Sequence, residues 1–267
     1  MDTQMLQEKF ERMGARVKVA PDARVEQVRI DIGHDRKGEF FDLKVRADQR
    51  VAVHAVDVRP KDRHLLLMVR SEDRNGLPSA HAQRFLCGHD ERAWFVAAVP
   101  ENRGATNVRT AMEALKPWEA VRSQEVNRVR FKDRNRRKNR GFIRQGEWFF
   151  IPAERVRIPE AMVLRNEPLV RTGGKPHLAE FAFRNGGELV YVDARNRAIT
   201  AAQYQRLLQR DAAAARLYTS RRRNMQVLVK GRISHADHKT ILLRDWHRVA
   251  VNTENQSWAM RFVAFID

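Results

Sequence analysis

The chain has 267 residues, 43% of them hydrophobic, which is enough for a proper core in one large domain or two small ones. Lys and Arg number 51 against 33 Asp and Glu, a formal net charge of +18, so acidic partners are expected. One cysteine, Cys87, excludes an internal disulfide and any CxxC metal site. No run approaches the roughly 20 apolar residues of a spanning helix, so no membrane role is expected; the N-terminus carries no signal-peptide pattern, and the expectation is a cytoplasmic protein.

Residues 3 to 13 put Met5, Leu6, Phe10 and Met13 on one helical face, with Asp2 or Thr3 as N-cap. From there to Val99 the pattern becomes short apolar runs that read as strands: 25–32, 40–45, 51–58, 65–69, 84–87 and 94–99. Gly88-His89-Asp90-Glu91 lies between the last two and reads as a hairpin turn, not as a catalytic segment. Val108, Met112 and Leu115 recur at helical spacing until Lys116-Pro117 stops the pattern, and the first domain is expected to end there, near residue 120.

Between 121 and 141 apolar residues thin out. Arg128, Arg130, Lys132, Arg134, Arg136, Arg137, Lys138, Arg140 and Arg144 are opposed only by Asp133. This reads as an Arg-rich connector that enters the next domain, since a strand signal, Trp148 to Ile151, follows at once. Further strands are expected at 161–164, 178–183, 189–192, 225–229, 240–243, 248–251 and 261–266. A helix from Thr200 to about Tyr218 interrupts them with Tyr204, Leu207 and Leu208 inward, and Gly186-Gly187 reads as a hairpin turn. The fold class is therefore α+β and predominantly β: two β-rich, barrel-like domains at 1–120 and 142–267, the second with a helix inserted at 200–218.

The basic run points to phosphate. Each cation that neutralises a phosphate releases condensed counterion, and Arg adds a planar fork that suits phosphate contact and base stacking. Arg221, Arg222 and Arg223, with Lys230 and Arg232, are secondary clusters that would extend a patch into a groove. Trp148 and Trp246 are the aromatic candidates for stacking on unpaired bases, with burial in the core as the ordinary alternative for each. The sequence contains no recognition-helix motif, zinc finger or basic zipper, so RNA is preferred over DNA. The expected function is a non-catalytic nucleic-acid-binding subunit of a ribonucleoprotein or of a mobile-element or defence system, with a protein partner in a larger complex as a further expectation.

The second constellation is histidine. His177, His235, Asp237, His238 and His247 supply imidazole and carboxylate groups of the kind that bind zinc or another divalent metal, which would make the chain a metal-dependent hydrolase or nuclease instead. The alternative is a tight turn at 235–238 with Asp237 as its turn residue and no metal. No HExxH, GxSxG or P-loop sequence accompanies these residues.

At Arg144-Gln145-Gly146-Glu147-Trp148-Phe149-Phe150-Ile151-Pro152 the chain resembles a family of small bacterial proteins, of no assigned activity, that open with an RQGDVLL(I/V)P-like strand. That family carries a Gly-His-x-His segment in the middle and closes with His-Pro-Glu-His, an apolar run and Tyr-Arg-Val. The counterparts here are Lys175-Pro176-His177, His235-Ala236-Asp237-His238 and Trp246-His247-Arg248-Val249, with Lys175 where the family has its first histidine. The resemblance covers residues 142–267, leaves the first half aside, and implies a compact β domain without a particular activity.

Overall fold

The computed structural model describes residues 3–46, 51–72, 82–154, 156–170, 175–195 and 197–254; the strand expected at 261–266 lies outside them. In chain order the first half holds α1 (Thr3–Arg12), β1 (Val17–Pro21), β2 (Val28–Asp35), β3 (Gly38–Val45), β4 (Val51–Arg59), β5 (His64–Ser71), β6 (Gln83–Asp90), β7 (Ala93–Val99), α2 (Val108–Ala114) and α3 (Trp118–Val126). The second half holds β8 (Ile143–Gln145), β9 (Trp148–Pro152), β10 (Leu164–Leu169), β11 (His177–Asn185), β12 (Glu188–Asp193), β13 (Ala198–Thr200), α4 (Ala201–Arg210), β14 (Tyr218–Arg223), β15 (Gln226–Ser234) and β16 (Ile241–Val251). The fold is α+β and mostly β, as its alternating apolar runs require. Among the described residues no helix is long and apolar enough to cross a membrane.

The run Leu65-Leu66-Leu67 is buried throughout because both faces of its sheet are covered. The strand order is β4-β5-β6-β7. Leu65, Leu67, Val69, Phe85 and Cys87 face a core shared with α1 and the sheet β1-β3-β2, where Phe10 meets Phe41 at 5.0 Å between ring centroids. Leu66, Leu86, Ala97 and Val99 face the other way, onto Val108, Ala111 and Ala114 of α2. That helix begins in a capping box in which Asn107 and Thr110 exchange backbone-to-side-chain bonds of 3.0 Å. β1 pairs parallel to β3 and was not among the expected strands.

The second half centres on a sheet of order β10-β11-β15-β16-β9-β8, packed on Trp148, Phe150, Leu169, Val229, Ile233 and Leu243. The strand expected at 161–164 lies further along, at 164–169, and the two expected at 240–243 and 248–251 are one continuous strand. A second sheet, β13-β12-β14, carries α4 through Tyr204, whose ring stacks on Tyr191 at 3.7 Å. Among the described residues each sheet is an open array and no closed barrel is formed. Gly186 and Gly187, both at positive φ, do not close a hairpin between paired strands. They pass the chain from β11 in the large sheet to β12 in the small one. The expected helix to Tyr218 stops at Arg210, where the Asp211 carboxylate accepts from the Ala213 amide and turns the chain into a 3-10 segment.

The stretch 121–141 is a built part of the fold and not a loose connector. α3 occupies its start, and the apolar residues are sparse because only Ala120 and Gln124 face inward while Trp118 and Val126 lie exposed. Pro117, expected to end one helix, N-caps the next. Ala120, Phe142, Phe149 and Ile151 form a small core of their own. Gln124, 1% exposed, donates to the Arg134 carbonyl at 2.7 Å and accepts from Lys116 Nζ at 3.2 Å. The chain end described here returns to the first half, where Thr253 Oγ1 donates to the Ala114 carbonyl at 2.7 Å.

Candidate functional site

The basic run forms a loop between α3 and β8, fixed along its length by its own backbone. The amides of Asp133, Arg136, Asn139 and Arg144 bond the carbonyls of Arg130, Asp133, Phe142 and Arg137, and Asn139 Oδ1 accepts from the amides of Gly141 and Phe142. This scaffold divides the nine cations into two groups. Arg134, Arg137 and Arg144 turn inward: Arg137 reaches Asp90 at 3.0 Å and Glu91 at 2.5 Å, and Arg144 reaches Asp90 at 3.4 Å. Gly88, His89 and Asp90, expected in a turn, pair with β7 as the end of β6, and the hairpin turns at Glu91-Arg92; Asp90 and Glu91 are thus the anchor between the two halves.

Arg128, Arg130, Lys132, Arg136, Lys138 and Arg140 are exposed. Five of them, all except Lys132, line a concavity of about 530 Å³ whose one acid is Asp133. Asp133 pairs with Arg130 and Arg136, each at 3.1 Å. Both guanidinium groups stay in solvent, with side chains 74% and 70% exposed, so the pairing orients them without hiding them. Beside them Phe131 is 67% exposed, with the Arg109 guanidinium 4.5 Å over its ring. Phe131 is not among the expected stacking residues, although an aromatic residue between Arg130 and Lys132 is a visible signal in the sequence.

The other expected contacts fall elsewhere. Trp148 is 6% exposed and belongs to the core, so it presents no ring to a base, and Trp246 is half-buried on β16. Arg221, Arg222 and Arg223 lie exposed on β14, at the edge of the small sheet, with Arg223 bonded to Glu188. Lys230 and Arg232 are on β15, and Arg232 pairs with Glu180 at 3.3 Å.

Three of the histidines do converge. His177 opens β11, and the turn that follows β15 brings His235 and His238 against it. Ring centroids are 4.2 Å apart for His177 and His235, 4.7 Å for His235 and His238, and 5.6 Å for His177 and His238. One nitrogen from each ring falls within 4.8 Å of the other two. His177 is 1% exposed, and neither of its ring nitrogens has a hydrogen-bond partner among the described residues. An unsatisfied polar group in the interior costs about 1–3 kcal/mol.

The segment Arg144-Gln145-Gly146 shapes this cluster. Gln145 is wholly buried and donates to the Lys239 carbonyl at 2.7 Å, holding the turn that carries His238. Gly146 has φ +56°, and a Cβ there would come within 3.0 Å of His238 Nε2, so the glycine leaves the space the imidazole occupies. On the far side Glu91 accepts from the Lys239 amide at 2.7 Å and stands 3.5 Å from His238 Nδ1.

Asp237 does not join the ring cluster. Its carboxylate pairs with Lys175 at 3.0 Å and is held below the usual carboxylate range by that bond, while its amide donates to His235 Nδ1 at 3.1 Å. His247 is likewise apart, with Nδ1 on the Asp245 carbonyl at 2.7 Å. Burial drives the His177 pKa down to about 3, with His235 and His238 adding to the effect, so the ring is neutral at pH 7. The cluster opens into a cleft of about 700 Å³ that Arg92, Arg144, Glu147 and Lys175 also line. Comparison of the chain with family models, curated proteins and solved structures finds no match.

Proposed function

We propose that the protein binds nucleic acid through the loop between α3 and β8, taking single-stranded RNA in preference to duplex DNA. The observation that carries this reading is the concavity of about 530 Å³ lined by Arg128, Arg130, Arg136, Lys138 and Arg140, with the exposed ring of Phe131 on the same loop. Clustered guanidinium groups meet phosphate oxygens in bidentate fashion and release counterions. An exposed aromatic ring stacks on a base that is not already stacked in a duplex, which favours single strands. A rigid loop adds affinity, because little side-chain and backbone freedom remains to be lost on binding.

The test is binding of labelled RNA and DNA of matched sequence, single- and double-stranded, at several salt concentrations. Six exposed cations at about −0.7 each give a log-log salt slope near −4 for single strands. Replacing Arg128, Arg130, Lys138 and Arg140 with Ala is expected to bring that slope to about −1 to −2 while leaving thermal stability nearly unchanged, since exposed charges contribute little to folding. A flat salt response refutes the reading. Equal affinity for all four forms leaves phosphate contact standing and removes the preference for RNA.

A further inference from the structure

We infer that His177, His235 and His238 form a binding site for one divalent transition-metal cation of the zinc type, with its remaining coordination position facing the cleft. The inference is independent of the nucleic-acid reading, since none of the three side chains lies on the basic loop.

Three imidazoles from two separate segments present one nitrogen each within 4.8 Å of the others. Around a tetrahedral ion with metal–nitrogen bonds of about 2.0–2.1 Å, ligand nitrogens stand about 3.4 Å apart, so the rings need close only by rotation and a small shift of the 235–238 turn. Neutral imidazole is the ligand form, and a group of three leaves a position open for water or another ligand.

Two observations point to a cation and not to mere packing of rings. His177 is sealed in the interior with both ring nitrogens unpartnered among the described residues, so one of them is free to take a metal ion. His238 has the Glu91 carboxylate beyond its Nδ1 at 3.5 Å and Gly146 beside its Nε2. A carboxylate that accepts from the far nitrogen of a ligating histidine fixes the ring's orientation and raises its basicity; here the contact stands at ion-pair distance and has to shorten to become that hydrogen bond. Loading the site requires His235 Nε2 to release the Lys175 carbonyl, which it meets at 3.2 Å, an exposed bond that is easily exchanged for water. Imidazole donors with no thiolate suit zinc, cobalt, nickel or copper better than magnesium or calcium, which prefer oxygen.

The experiment is a titration of the full-length, chelator-treated protein with Co²⁺, read by the visible absorption of the tetrahedral ion, followed by displacement with Zn²⁺. One equivalent is expected to bind and to be displaced. His235→Ala, on a part-buried turn and so the least harmful to the fold, and His238→Ala are each expected to weaken binding by more than the ten- to hundredfold that loss of an outer partner costs. His247→Ala, outside the cluster, is expected to bind as the parent does, as is the variant lacking Arg128, Arg130, Lys138 and Arg140. The inference is overturned if the parent gives no tetrahedral spectrum at millimolar Co²⁺, or if the His235→Ala,His238→Ala double variant still binds one equivalent. It is also overturned if His247→Ala, folded by circular dichroism, loses the ion as fully as the cluster variants do.

Discussion

Gly146→Ala separates the backbone requirement of the turn between β8 and β9 from its steric one, because Gly104 supplies the control. Both glycines hold similar left-handed conformations, φ +56° and +61°, and an alanine in that region costs roughly 1–2 kcal/mol. At Gly104 an added Cβ meets nothing within 4 Å, whereas at Gly146 it comes to 3.0 Å from His238 Nε2. Glu91 stands 3.5 Å behind that ring, and a ring that keeps its place against the new Cβ adds about 1 kcal/mol or more of overpacking. Gly104→Ala is therefore expected to lose about 1–2 kcal/mol and Gly146→Ala about 2–3 kcal/mol, an excess of about 1 kcal/mol, worth about 2–4 °C in Tm for a chain of this size. Urea unfolding of both variants with the parent at pH 7.5 measures it. If the two losses agree within about 0.5 kcal/mol, a margin usual for surface changes, His238 moves freely and the Arg144-Gln145-Gly146 turn does not shape the cluster.

Arg137→Ala leaves Asp90 and Glu91, side chains 9% and 16% exposed, without their main cation and is expected to cost about 1–2 kcal/mol, whereas Lys138→Ala, solvent-exposed, costs less than about 0.5 kcal/mol; equal losses in urea would show that the inward and outward cations are not distinct. Burial lowers the pKa of both His64 and His247, so below their unfolded value of about 6.5 the unfolded chain binds more protons than the folded one. Their contribution is complete above that pH and is lost as pH falls beneath it, by at most about 1.4 kcal/mol per unit for each ring; a urea midpoint that stays constant from pH 7.5 to 5.5 contradicts it. Glu91→Gln is expected to weaken Co²⁺ binding by about ten- to hundredfold, and unchanged affinity would mean that Glu91 serves Arg137 and the Lys239 amide and not His238.

The strands of the first half were legible because each carries a run of β-branched and aromatic residues ended by polar turns, and the structure shifts their limits by a few residues only. Val17–Pro21 escaped notice because it is short and its partner lies over twenty residues away in a parallel pairing, which leaves no local signature. α3 escaped because its two exposed apolar residues, Trp118 and Val126, blur the helical stripe. At the candidate site the sequence supplied the histidines but could not say which converge: His247 and Asp237 look equivalent to the others in the string, and only strand register and the Lys175 pairing set them apart. The basic run was unmistakable as composition. The inward turn of Arg137 and Arg144 depends on Asp90 and Glu91, about fifty residues earlier, and no spacing rule reaches that far.

The bond between the Lys239 amide and Glu91 spans 148 residues. A chain made from its N-terminus presents the 83–99 hairpin early and waits for most of the second half before His238 can meet its carboxylate. Contacts of such sequence separation form slowly compared with local structure, so the side of the histidine cluster that rests on Glu91 forms only after residue 239 has been made. A fragment holding residues 142–254 would contain all three imidazoles, yet it would lack Glu91 and the Asp90 anchor beside them. Assembly of the site therefore reports on the whole molecule.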